Sequence, residues 1–396
     1  MSNVVFVLLF GFILASVSIK SNQITFLIAF SAAVLFLVVC ASTRIKTGLL
    51  GIPFLVVLTL AWIALSAIWA PSFVDTSIQV LRASCVVIAI FCGVSLLGVQ
   101  RVMRNLPALV LTMIVAQYVA IFFFSFGVHA EHEVYLRGAW RGFMSHKNEA
   151  GSLGAIAVLV FAREVFLRSS LLSLTGLILS SIFLQQTNSE TSFALMFLGL
   201  LTLLAFNSFR LSRLWRYLLT LTALTSIIVI FIVVVGSSIS ETIFGDPYGF
   251  TGRVGLWKAA IYFWELHPII GNGFRSVFGN PSVNLFSIAQ TPYTVVAPHP
   301  HNGYVDMLSG TGLVGFFLAT FAFFLGPIYR ALKTSNITAE SPVSLCVSII
   351  VFSAARAFFE SSILQYDNAA WVLWLLALAV FFQHLSEIRN GSNHDS

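Results

Sequence analysis

Residues 299–329 read HPHNGYVDMLSGTGLVGFFLATFAFFLGPIY. Two imidazoles straddle a proline, and behind them runs an apolar stretch long enough to cross a bilayer core, with Asp306 as its one charged side chain. Asn302 stands where such a helix takes its cap. Gly312 and Gly315 fall three apart inside the run, where small residues let other backbones approach closely. The stretch predicts a membrane-spanning helix over 306–329 with a titratable group, His301, at its polar mouth.

Outward from this helix the chain is of the same kind. It is 58% hydrophobic and 9% charged, with a mean hydropathy of +0.94, whereas about a quarter of a soluble domain is charged. Such a chain is expected to be an all-α, polytopic transmembrane helical bundle, a single integral membrane domain over 1–396. Apolar runs near bilayer length predict about twelve spans, at 4–19, 23–41, 48–69, 83–100, 105–127, 149–167, 171–187, 191–207, 217–236, 306–329, 342–360 and 368–385. A large polar insert, 237–305, separates the ninth from the tenth. With both termini cytoplasmic, Arg44, Lys46, Arg101, Arg104, Arg163, Arg168, Arg210, Arg213, Arg216, Arg330, Lys333 and Arg389 all fall inside, as the excess of cations in short cytoplasmic loops requires. Only Glu164, Glu340, Glu387 and Asp395 accompany them. The net charge of +6 is too small and scattered to point to nucleic acid.

The first span lacks a basic leader and is followed by Lys20 and a second apolar run, so it is expected to be a retained helix. Cys40, Cys85, Cys92 and Cys346 lie within expected spans without metal-ligand spacing and read as packing residues. Phosphate-binding loops, dinucleotide fingerprints and HExxH are absent, which argues against ATP-driven or redox chemistry.

Against the general bias, basic residues stay on the outer side in two segments. The first, 128–148, holds Arg137, Arg141, His146 and Lys147 directly before a span. The second is the 237–305 insert, with Arg253, Lys258 and Arg275. Retained outer charge points to an anionic ligand; the alternative is pairing with Glu131, Glu133, Glu149, Asp246 and Glu265, or contact with lipid phosphates. Residues 251–266 (TGRVGLWKAAIYFWEL) put Val254, Trp257, Ile261 and Trp264 on one helical face, with Thr251 as cap, which suits a helix lying in the interface. Arg253 then stands in the first turn, where free N–H groups also favour phosphate. His301 is of the residue type that serves as a general base at neutral pH.

These residues resemble the O-antigen ligase and Wzy-type polysaccharide polymerase superfamily, including exopolysaccharide polymerases. His301-Asn302-x9-Gly312-x2-Gly315 fits its HN-x9-G-x2-G motif. Arg253 with Trp257, then Pro268, Gly271, Gly273 and Phe274, is similar to its R-x3-W and P-x2-G-x-G block. Arg141-Gly142, then His146-Lys147-Asn148 and Gly151, is similar to the RG-x3-HKN-x2-G element of the exopolysaccharide branch. The likeness covers most of 135–385. It departs at Thr187-Asn188-Ser189-Glu190, where relatives carry a basic residue after the serine. Either other cations bind the donor, or Glu190 contacts sugar hydroxyls.

The resemblance implies a bundle like those of C-type glycosyltransferases, with short helices in a large periplasmic loop. It implies glycosyl transfer at the outer face of a bacterial inner membrane. The donor would be an undecaprenyl-pyrophosphate-linked glycan, the acceptor a sugar hydroxyl on a second lipid-linked repeat or on lipid A-core. His301 would be the base, and Arg253, Arg141, Arg137 and Lys147 would hold the pyrophosphate. Asn302, Asp306, Trp257, Arg275, Glu190, His146 and Asn148 would support the site or touch substrate. With no carboxylate expected beside His301, single displacement with inversion is expected, with no metal and no cofactor. Membrane lipids and polysaccharide export or chain-length proteins are the further expected partners. The HKN element favours polymerase over ligase. The rival class is a transporter or flippase, which usually places ionisable groups at mid-membrane. Here they gather at the rim, apart from Arg356 and Glu360, four residues apart and expected to pair.

Overall fold

The computed structural model describes residues 51–130, 133, 136–207, 253–278, 298–334 and 340–392, with a few positions before 51. Apart from those few positions, the expected spans 4–19, 23–41 and 217–236, and about half of the 237–305 insert, lie outside the described residues. Among the described residues there is no strand, only one antiparallel bridge between Val128 and Trp140.

The helices are α1 (Phe54–Leu65), α2 (Phe73–Leu97), α3 (Val99–Phe123), α4 (Lys147–Leu167), α5 (Leu171–Gln186), α6 (Glu190–Asn207), α7 (Arg253–Leu266), α8 (Gly303–Thr320), α9 (Gly326–Lys333), α10 (Val343–Arg356) and α11 (Ala369–Ser392). Among the described residues, α2, α3, α4, α6, the run from α8 through α9, and α11 are long and apolar enough to cross a membrane, while α1, α5 and α10 are shorter apolar helices. Each meets an expected span, and the fold class is as the composition requires.

Several helix ends differ from expectation, and two of them bear on the site. α2 begins at Phe73, ahead of the expected 83, because Ser72 caps it by accepting the Asp75 N–H at 3.3 Å. The added turns carry Gln79 and Arg82, which a count of apolar residues rejects. α10 stops at Arg356 rather than continuing to 360, and residues 357–368 leave the helical path before α11.

α4 is the central helix, packed against α3, α5, α6, α10 and α11. Small residues allow this: a side chain on Gly154 would press on Leu184 of α5, and one on Gly176 of α5 would overlap the Phe161 ring. Near the opposite end of α4 from the site, buried Arg163 pairs with Glu164 at 3.0 Å and donates to the Glu340 carbonyl at 2.8 Å, tying α4 to the start of α10.

α8 is broken at Gly312 (φ 65°, ψ −171°). The turn 268–273 fits into that break: Leu313 and Val314 N–H groups donate to Pro268 and Ile269 carbonyls (2.9 and 3.3 Å), and Asn272 and Gly273 donate to Ser309 and Gly310 (3.1 and 2.8 Å). A Cβ on Gly312 would overlap the Ile269 carbonyl and Gly271 nitrogen, and one on Gly271 would overlap Gly312. Trp62 and Trp69 donate their indole N–H to the Thr311 and Gly271 carbonyls at 2.9 and 3.1 Å. The backbone that approaches Gly312 is thus a turn, whereas Gly315 meets the side chains of Thr311 and Trp62, and the two motifs form one unit.

Candidate functional site

The site is built where the mouth of α8 meets the non-helical segment after α10. Asn302 caps α8, its Oδ1 accepting the N–H groups of Tyr304 and Val305, each at 3.1 Å. Its own N–H donates to Ser361 Oγ at 3.2 Å, and Gly303 N–H donates to the Ala357 carbonyl at 2.7 Å. Trp257 of α7 donates its indole N–H to the Pro300 carbonyl at 2.9 Å. The turn carrying His301 is therefore held from both sides. His301 itself sits at φ 53°, a left-handed conformation that non-glycine residues adopt mainly where surrounding contacts impose it.

That backbone brings His301 Nδ1 to 2.6 Å from Glu360 Oε1. Glu360, expected to pair with Arg356 along one helix, lies beyond the end of α10 and instead meets His301. Its other oxygen accepts from Asn148 Nδ2 at 3.1 Å and lies 3.7 Å from Arg253 Nη2. Arg253 Nη1 donates to the Phe359 carbonyl at 2.6 Å, and Arg356 Nη2 to the Asn148 carbonyl at 3.2 Å. The expectation that no carboxylate stands beside His301 is corrected by this geometry, because a side chain 59 positions away in sequence is brought there by tertiary packing.

Burial pushes the Glu360 carboxyl up, but the imidazole of His301 and the guanidinium groups of Arg253 and Arg356 outweigh it and hold the group well below the ordinary carboxylate range. An ionised carboxylate only accepts hydrogen bonds. In the neutral ring of His301 the proton therefore sits on Nδ1 and the lone pair on Nε2.

Two further histidines lie around this pair. His299 stacks edge-on against His301, ring centroids 4.4 Å apart, and burial drives its pKa down to about 3. His146, the cap of α4, is driven by burial to about 4 and lies in the field of Glu360 and His301. Its ring packs 5.5 Å from that of His129. His129 accepts the Lys147 N–H on Nε2 at 3.2 Å and so donates from Nδ1 to Glu133 at 2.7 Å.

The structure brings some of the expected anion-binding residues together and separates others. Arg253 and Asn148 are in contact with Glu360. Lys147 donates from Nζ to the Asn188 carbonyl at 3.1 Å and lies in the field of Glu190 and Arg253. A cation thus reaches the turn before α6 from α4, while Glu190 occupies the first turn of α6, where free N–H groups favour a carboxylate. Arg141 is held by the Phe126 carbonyl at 2.8 Å and by Glu133 at 3.9 Å, the acidic pairing weighed as its alternative role. Arg137 is exposed. Arg275, itself at φ 53°, lies over the Tyr366 ring at 5.7 Å, with Arg82 over the same ring at 5.1 Å. Asp306 is hydrogen-bonded to Ser361 and lies in the field of Arg275 and His301. Trp257 serves the Pro300 turn.

His299, His301 and Glu360 offer atoms within 4.8 Å of one another, a metal-ligand composition. Glu360 is already engaged by His301, Asn148 and Arg253, and guanidinium groups in this field disfavour a further cation. What suits an anion here is the guanidinium groups, not these three residues.

Sequence reasoning missed Glu360 as the partner of His301, Ser361 as the acceptor for Asn302, and the tryptophans 62 and 69. The available signal was the polar run Glu360-Ser361-Ser362 directly after an apolar helix.

Fold and site together define a multi-pass helical membrane protein with an imidazole–carboxylate pair and arginines at one end of its bundle. Residues 175–320 match the O-antigen ligase family. The chain is also similar to the exopolysaccharide production protein ExoQ of Rhizobium meliloti (strain 1021), 29% identical over 144 residues, a match covering 34% of this chain and 32% of that protein. The resemblance to the O-antigen ligase and Wzy-type superfamily is thereby borne out.

Proposed function

We propose that this protein transfers a glycan from an undecaprenyl-pyrophosphate carrier to a sugar hydroxyl at the outer face of a bacterial inner membrane, with both termini cytoplasmic. The observation that carries the reading is the His301–Glu360 pair, 2.6 Å apart with Arg253 beside it, at the polar mouth of a membrane helix. The similarity to an O-antigen ligase family and to an exopolysaccharide production protein supports the same class.

In this mechanism the acceptor oxygen attacks the anomeric carbon while the bond from that carbon to the pyrophosphate oxygen breaks. His301 Nε2 takes the acceptor proton, a role worth roughly 10²–10⁴ in rate. Glu360 stabilises the imidazolium that forms and keeps the imidazole in the required tautomer. The carrier pyrophosphate leaves with the bonding electrons, its charge met by Arg253, with Arg141, Arg137 and Lys147 along the approach. Glu360 is 8% exposed and bonded on both oxygens, which suits it to orient the base and not to attack the sugar. The step is a single displacement with inversion, and needs neither metal nor nucleotide.

Polymerisation is favoured over ligation to lipid A-core by the HKN element and by what the matched relative is named for. The test is the length distribution of carrier-linked glycans in cells lacking this gene, complemented with wild type or His301→Ala. Accumulated single repeats rescued only by wild type support the polymerase. Full-length chains left on the carrier mean a ligase. An unchanged profile, or full rescue by His301→Ala, removes the transferase reading.

A further inference from the structure

The turn before α8 holds a second imidazole whose hydrogen bonding leaves one definite group to offer. The His301 backbone N–H donates to His299 Nδ1 at 3.4 Å. A nitrogen that accepts cannot carry the proton, so His299 is the tautomer protonated on Nε2. Among the described residues nothing accepts from that Nε2–H. Pro300 holds the two histidines at fixed spacing, Trp257 anchors its carbonyl, and the left-handed backbone of His301 aims the bonding N–H at His299. The adjacent rings therefore present opposite chemistry: a lone pair on His301 Nε2, and a fixed donor on His299 Nε2.

We propose that His299 is a substrate-binding residue, donating from Nε2–H to an oxygen of the acceptor sugar next to the hydroxyl that His301 deprotonates. This rests on the transferase reading given above. Burial and the neighbouring cations keep the ring uncharged at working pH. A neutral donor suits a sugar hydroxyl or ring oxygen, whereas the phosphate oxygens have arginines to meet them. The donor also gives specificity, because an acceptor lacking an oxygen there leaves a polar group of the site unpaired.

The competing role is structural, with His299 serving only as acceptor for the His301 N–H. The two amide variants separate these roles. His299→Asn keeps an acceptor near the Nδ1 position but falls short of Nε2; His299→Gln carries an N–H to the Nε2 position. The full chain in lipid nanodiscs would be assayed with lipid-linked repeats from cells lacking the gene as donor. The acceptor is the oligosaccharide freed from that lipid by mild acid, which can accept but not donate. The expected result for His299→Asn is an acceptor KM raised about tenfold with kcat nearly unchanged, the loss of one hydrogen bond. His299→Gln should stay near wild type, and neither variant should move the acid limb of the pH profile. The proposal is overturned if Asn behaves as wild type while Gln is impaired, if both alter kcat and KM alike, or if the acid limb moves. Wild-type protein inactive with these substrates, or His301→Ala retaining activity, would instead bring down the transferase reading itself.

Discussion

An ionised carboxylate 2.6 Å from an imidazole decides which nitrogen is the base. Glu360→Gln retains an oxygen for His301 Nδ1 but not the charge. Turnover should fall about 10²-fold, within the range general-base catalysis contributes. Rates of wild type and variant measured side by side check this. The same residues govern acid stability. His146 and His299 titrate near 4 and 3 when folded, against about 6.5 for an unperturbed imidazole. Between those values the unfolded chain binds protons at these two rings that the folded chain refuses, so the stability they contribute falls as pH drops. Glu360, held low, adds a further loss as pH falls below about 4.3, the ordinary glutamate value, towards its folded one. Melting followed by tryptophan fluorescence should show the wild-type midpoint losing more than that of His146→Gln between about pH 6.5 and 4.

At the scale of elements, the interlocked turn and broken helix hold the site in register. Gly98 and Gly312 both have positive φ, at 78° and 65°, but only at Gly312 would a Cβ overlap backbone atoms, those of Ile269 and Gly271. Gly98→Ala should cost about 1–3 kcal/mol from backbone strain alone, since φ 78° with ψ 152° is a conformation reserved to glycine. Gly312→Ala should cost more, about 3 kcal/mol or above once overlap is added, and should lower transfer as well; comparing the two midpoints and activities tests this. The glycine spacing was legible in the sequence as a close approach. That the approaching partner is residues 268–273 was not, because backbone pairing between distant segments leaves no periodic trace. The end of α10 was missed for a related reason. An apolar count runs on to 360, while the chain leaves the helix at 356 to bring Glu360 and Ser361 to the mouth of α8.

At the scale of the molecule, the proposed orientation puts the site end outside. Single cysteines at exposed Ser145 and His267 should react with an impermeant maleimide on intact spheroplasts. One at Ser169, at the other end of the bundle, should react only after the membrane is opened. Labelling of all three from outside, or only of Ser169, would overturn the orientation. By itself the sequence determined the helical membrane class, the nine apolar runs that meet described helices, six of them long enough to cross a membrane, and His301 at the mouth of one of them. Those are local facts: bilayer thickness demands an apolar run of set length, and a cap is set by a few adjacent residues. Only the tertiary structure decided that Glu360 partners His301, that Lys147 serves the turn before α6, and that Arg141 is held by Glu133. Those pairings depend on which helix ends meet in space, and packing of interchangeable apolar faces writes no spacing into the chain that would reveal it.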